Sequence, residues 1–247
     1  LSVALIVSGC SGGPSLTPIP SSAMTTSPSM SAPPLASAGA VVPVTFAATD
    51  GVELNGRLFG SGTVGIVLAH GLLDTRQRSW DDFAPKIAER GFAALTFDFR
   101  SFDLADRGLL WKDVVGAVRY LRSRGISHVF LIGASLGAHW CLWAAALPGA
   151  DVDGVVALSV GPSGFSPEFN LTRAVITQIH APLLFLGGTR DDIVPPNEVQ
   201  AVFDRANQPK AINLLETSAH GAALVVGVGQ AQVQARQLIF DFIAANT

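Results

Sequence analysis

Six short apolar runs, at positions 66–69, 92–97, 129–132, 155–160, 183–186 and 212–215, constrain this chain more than any other feature. Each is too short for a helix, is bounded by turn residues, and lacks the polar alternation of a strand with one wet face. Strands that are apolar throughout are buried on both faces, the condition of parallel strands covered by helices. Segments with helical patterning follow at 80–90, 110–124, 136–147, 197–205 and 229–244. The alternation predicts an α/β fold with a mostly parallel sheet and helices on both faces. Upstream, 41–49 and 52–59 flank Asp50-Gly51 and predict an antiparallel hairpin, which brings the sheet to eight strands. Functional loops of such a sheet gather at the carboxyl ends of its parallel strands.

Three chemistry-bearing segments sit at such ends. Gly133-Ala134-Ser135-Leu136-Gly137 joins the third apolar run to an Ala/Leu-rich helical stretch. Flanking glycines leave room for a sharp turn that lifts a Ser hydroxyl clear of the strand and aims the next backbone N–H at the same space. The fifth run leads into an acidic loop, Arg190-Asp191-Asp192-Ile193-Val194-Pro195, and the sixth into Glu216-Thr217-Ser218-Ala219-His220-Gly221. Ser, acid and His thus occur in the chain order of one family of nucleophilic hydrolases. Further upstream, the first run ends in His70-Gly71-Leu72.

With these four segments, residues 41–247 resemble the α/β-hydrolase superfamily, in its serine esterase, lipase and dienelactone-hydrolase-like region. The resemblance implies the α/β-hydrolase fold, Ser135 as nucleophile, His220 as general base and acid, and Asp191 as the group that orients the His. Asp191 is preferred because the family's Gly-x-x-Asp-x-x-Val-Pro pattern falls on Gly188, Asp191, Val194 and Pro195, with Asp192 as the competing residue. Backbone N–H groups of Leu72 and Leu136 are the expected oxyanion donors. The implied reaction is hydrolysis of a small-molecule carboxylic ester through an acyl-enzyme; a peptidase or thioesterase shares the triad, and a non-catalytic binding protein of this fold is the alternative outside enzymes. Dehalogenase and epoxide hydrolase readings are disfavoured by a Ser at 135, where those enzymes use Asp, and dienelactone hydrolase proper would need a Cys.

Two stretches depart from the family. Asp98-Phe99-Arg100-Ser101-Phe102-Asp103 lacks both glycines of the usual Asp-x-Arg-Gly-x-Gly loop, and positions 161–180 leave room only for a minimal cap. Blander roles are expected for several conspicuous side chains. His128 and His180 read as strand-edge residues, His139 as a helix-packing residue, His70 as scaffold, and Asp74, Asp103 and Asp106 as solvated loop carboxylates. Trp80, Phe102, Phe165 and Phe169 could line an acyl pocket or simply pack.

The first 49 residues hold no charged side chain. Within them, Val7-Ser8-Gly9-Cys10 is similar to a bacterial lipobox, which implies residues 1–9 as the remnant of a signal peptide and Cys10 as a lipidated N-terminus. Residues 10–40, rich in Ser, Pro and Ala, bury too little apolar surface to offset the entropy of ordering and are expected to be a disordered tether. The implied location is extracytoplasmic, anchored to a bacterial cell membrane, with residues 41–247 as the catalytic domain. Cys141 is then left unpaired, as a buried thiol. A net charge of −3 without any basic block argues against nucleic acid as a partner. Lacking a glycine-rich phosphate loop and a Cys/His cluster, the chain is expected to need neither cofactor nor metal.

Overall fold

The computed structural model describes residues 41–247 except 73–75, 104 and 165. The expectations for residues 1–40, including Cys10, and for Asp74 and Phe165 lie outside the described residues. Strands β1 (Val41–Ala47), β2 (Glu53–Phe59), β3 (Val64–Ala69), β4 (Ala93–Phe97), β5 (His128–Ala134), β6 (Gly154–Leu158), β7 (Leu183–Gly188) and β8 (Lys210–Leu215) form one sheet. Their order is β1-β2-β4-β3-β5-β6-β7-β8. β1 pairs antiparallel with β2, and β2 antiparallel with β4; every later pairing is parallel. This is the eight-stranded, mostly parallel α/β-hydrolase fold that the resemblance implies.

Alternation along the strands explains why the apolar runs are unbroken. Successive side chains point to opposite faces, and in β3 to β7 both faces are dry. Val67 and Leu131 pack on the side of α2 (Leu110–Ser123), α3 (Leu136–Ala145) and α5 (Pro196–Arg205), with Val114, Trp140 and Val199. Their neighbours Ile66, Leu68 and Ile132 pack on the side of α1 (Phe83–Glu89) and α6 (Gln230–Ala245), with Phe83, Ile87 and Ile239. Cys141 is a free thiol in the first of these cores.

Two local differences have identifiable causes. The helix expected over 80–90 begins only at Phe83, after a separate 3₁₀ turn, Arg76–Trp80. Pro85 sets this boundary, because proline lacks a donor and is accommodated in the first turn of a helix but not in its interior. Between β6 and β7 a four-residue helix, α4 (Arg173–Ile176), is capped by the Thr172 hydroxyl, which accepts from the Val175 N–H. One turn is too short to leave a periodic signature. The cap is therefore small, as the length of 161–180 implies.

The loop that lacks the two glycines is held by charge. Arg100 Nε donates to Asp113 Oδ1 of α2 at 2.7 Å, while its two terminal nitrogens grip Asp50 in the β1–β2 turn at 2.7 and 2.8 Å. The Asp113 side chain is wholly buried and that of Arg100 is 5% exposed.

Candidate active site

Between β5 and α3 the chain turns on a single residue. Ser135 has φ 52° and ψ −114°, a left-handed backbone for a residue with a Cβ. Such a conformation costs roughly 1–3 kcal/mol and persists only where its surroundings impose it. Here the Ser135 N–H donates to the Leu158 carbonyl of β6 at 2.8 Å, and its carbonyl accepts from the His139 N–H at 3.1 Å. The flanking glycines provide clearance rather than the turn itself. A Cβ on Gly137 would collide with the Ala69 carbonyl of β3, and one on Gly133 with the Ala138 backbone of α3. Both glycines let the helix start hard against the sheet, with Ser135 above the strand ends.

The acid and the His come from loops after β7 and β8. Asp191 Oδ2 lies 2.8 Å from His220 Nδ1, and Oδ1 lies 3.2 Å from the same nitrogen. Oδ1 also accepts from the backbone N–H groups of Ile193 at 3.0 Å and Val194 at 3.1 Å, which fixes the carboxylate in the loop. The Asp191 side chain is wholly buried, whereas Asp192 is exposed. Geometry therefore pairs Asp191, and not its neighbour, with the imidazole. With Nδ1 donating to the carboxylate, Nε2 is the ring nitrogen left to accept a proton.

Ser159 ties the His loop to the elbow. Its hydroxyl accepts from the Gly221 N–H at 3.0 Å, and a Cβ placed on Gly221 would stand 3.7 Å from the Ser135 Cβ. His220 thus arrives beside Ser135. No Ser135–His220 hydrogen bond is present among the described residues; such bonds commonly tighten only once substrate is bound.

Above these residues opens a cleft of about 260 Å³, lined by Leu72, Ser135, Leu136, His139, Ser159 and Glu198 among others. Both expected oxyanion residues reach it. Leu136 is the first residue of α3, whose leading N–H groups have no acceptor inside the helix.

His70, immediately upstream of that wall, is scaffold as expected. Its Nδ1 donates to the Gly71 carbonyl at 2.8 Å, its Nε2 accepts from the Phe99 N–H at 3.3 Å, and its ring meets Phe99 and Phe102 edge-on. His139 packs as expected against Trp140 and donates from Nε2 to the Phe169 carbonyl at 2.8 Å. Burial pushes its pKa down to about 4, so its ring is neutral at pH 7.

The other expected bland residues divide. His128 contacts Asp153 at 3.1 Å at the start of β5, a strand-edge role. His180 and Asp103 are exposed. Trp80 is core, Phe102 packs on His70, and Phe169 packs on Trp140 and Trp143. None of those three aromatics lines the cleft.

Two residues of the site escaped the sequence. Ser159, with φ 50°, follows β6, which ends at Leu158, two residues before the end of the apolar run at 155–160. A polar side chain inside the carboxyl end of that run was the available signal. Glu198 sits in the first turn of α5, where an acidic residue is ordinary, and nothing in its spacing relates it to Ser135.

Among the described residues, no cluster of His, Cys, Asp and Glu could hold a metal ion, and no helix is long and apolar enough to cross a membrane. A model of the alpha/beta hydrolase family matches residues 66–235. Among solved structures, the esterase domain of a Rhodothermus marinus protein is 20% identical at a TM-score of 0.62, over 80% of this chain and 97% of that one. A Pyrococcus furiosus esterase is 18% identical at a TM-score of 0.67, over 83% and 91% of the two chains. Dienelactone hydrolase from Anabaena variabilis is 22% identical at a TM-score of 0.67, over 83% and 97%. Similarity at this level of identity speaks to the fold.

Proposed function

Because the chain belongs to the alpha/beta hydrolase family, we propose that it is a serine hydrolase that cleaves carboxylic esters through an acyl-enzyme. The observation that carries this reading is the Asp191–His220 pair at 2.8 Å, docked by Gly221 against the strained Ser135. Ser135 Oγ attacks the ester carbonyl as His220 Nε2 takes its proton, and the buried Asp191 carboxylate holds the tautomer and stabilises the imidazolium. The N–H groups of Leu136 and Leu72 receive the developing oxyanion; loss of one such donor typically costs about 3 kcal/mol of transition-state stabilisation. Collapse of the tetrahedral intermediate breaks the C–O bond, with His220 protonating the leaving alcohol. Water, deprotonated by the same His220, then attacks the acyl-Ser135 ester and releases the acid. No step calls on a cofactor.

Labelling of residues 41–247 with a fluorophosphonate tests this, with p-nitrophenyl esters of increasing chain length read in parallel. Labelling is expected in the wild type and lost in Ser135→Ala, and kcat/KM is expected to fall at least about a thousandfold in Ser135→Ala and His220→Ala. A well-folded wild type that neither labels nor turns over would overturn the reading.

We further propose that Cys10 carries a diacylglyceryl anchor that holds the enzyme on the extracytoplasmic face of a membrane. Support comes from Val7-Ser8-Gly9-Cys10 and from the absence of any charge before Asp50. A clickable fatty-acid analogue fed to a bacterial host is expected to enter the wild-type protein and not Cys10→Ala. Equal incorporation into both would sink the anchor.

A further inference from the structure

We propose that Glu198 is an anionic subsite beside Ser135, and that the enzyme selects small esters whose acyl or alcohol part carries a positively charged nitrogen. This rests on the esterase reading and extends it to a substrate class. Glu198 and Ser135 line the same cleft. Glu198 Oε2 lies over Gly161, where a Cβ would come within 2.5 Å of it. Gly161 does not have a positive φ, so the missing side chain serves as a seat for the carboxylate and not as relief of backbone strain.

The carboxylate is unmatched where it lies. Among the described residues its oxygens take part in no hydrogen bond and no ion pair, and no Lys or Arg lines the cleft. His139, the other acidic or basic side chain among the described residues that line the cleft, is held neutral by burial. A role limited to the α5 N-terminus would leave Glu198 facing its own helix amides. Instead it crosses to the loop after β6. A partly buried carboxylate in a cleft that apolar Leu136, Val160 and Val194 also line favours a cation over a neutral group of equal shape, and repels an anion. The cleft, about 260 Å³, has the share of liquid volume of roughly nine water molecules, which suits a short acyl or alcohol group.

Isosteric ester pairs test the assignment. On the acyl side, p-nitrophenyl 4-(trimethylammonio)butyrate is set against p-nitrophenyl 5,5-dimethylhexanoate. On the alcohol side, the butyrate of 2-(trimethylammonio)ethanol is set against 3,3-dimethylbutyl butyrate. In at least one pair the wild type is expected to prefer the cation by about tenfold in kcat/KM, with the preference shrinking as salt is raised. Glu198→Gln is expected to bring that ratio close to unity. Gly161→Ala, which pushes the carboxylate off its seat, is expected to move the ratio in the same direction.

Fluorophosphonate labelling and thermal melting keep a folding defect apart from a change of selectivity. Hydrolysis with no cationic preference in either pair, or a preference that survives Glu198→Gln, would overturn the subsite alone. A folded wild type that hydrolyses none of the four esters and does not label would overturn the esterase reading with it.

Discussion

At Ser159 a hydroxyl that accepts a backbone N–H sits on a residue with a left-handed backbone, and two substitutions separate the hydrogen bond from the strain. Ser159→Ala removes the acceptor of the Gly221 N–H and keeps a Cβ at φ 50°. An unsatisfied buried donor costs about 1–3 kcal/mol. Ser159→Gly removes the same acceptor but also the left-handed strain, so it is expected to be the more stable of the two by urea denaturation. Both are expected to lower kcat more than they raise KM, because the loosened segment carries His220. Asp191→Asn is expected to lower kcat about 10⁴-fold through loss of the correct tautomer, whereas Asp192→Asn, at an exposed position, stays within about twofold. Ser135, Asp191 and His220 were legible because each follows an apolar run in a fixed chain order. Ser159 and Glu198 were not, because they reach the cleft from β6 and α5 by three-dimensional convergence that no spacing encodes.

Elements were legible in proportion to how much of their burial is written locally. Strands β3 to β7 are dry on both faces and β8, at the edge, is partly exposed, yet an apolar run marks each of the six, although their ends shift by a residue or two. Helix α1 is misplaced at its start because Trp80, fully buried, mimics the first apolar position of a helix that Pro85 delays. The fit of α3 against the sheet is the tightest element-level constraint at the site. Gly137→Ala would drive a Cβ into the Ala69 carbonyl, and relief requires the helix to move off β3. Overpacking of that kind typically costs about 1–3 kcal/mol. The variant is therefore expected to melt earlier and, because Leu136 moves with the helix, to lose fluorophosphonate labelling even at temperatures where it remains folded.

Across the whole molecule, Arg100 joins three remote segments: the β1–β2 turn, the loop after β4, and α2. Burial holds the Asp113 carboxyl above its ordinary value, and Arg100 opposes that shift. Such a raised group costs stability as pH rises through its folded value. Asp50 is the reverse case, held well below the usual range chiefly by its hydrogen bond to Arg100, so its contribution is present above that range and lost toward acid. Arg100→Ala removes the second contribution and worsens the first. Unfolding free energy is expected to drop by about 3–5 kcal/mol near pH 7, with a smaller deficit at pH 4 than at pH 7 in urea titrations.

The same connectivity fixes how the domain bears load. The first forty residues join the chain at Val41, at the outer edge of the sheet, while Ser135 follows β5, four places inward in the strand order. Tension drawn through that N-terminal segment would be taken up first by the β1–β2 ladder, backed by the Arg100 clamp on Asp50. A pull strong enough to peel β1 would still leave Ser135, Asp191 and His220 on loops that follow strands four or more places from the edge being pulled, mechanically shielded from it.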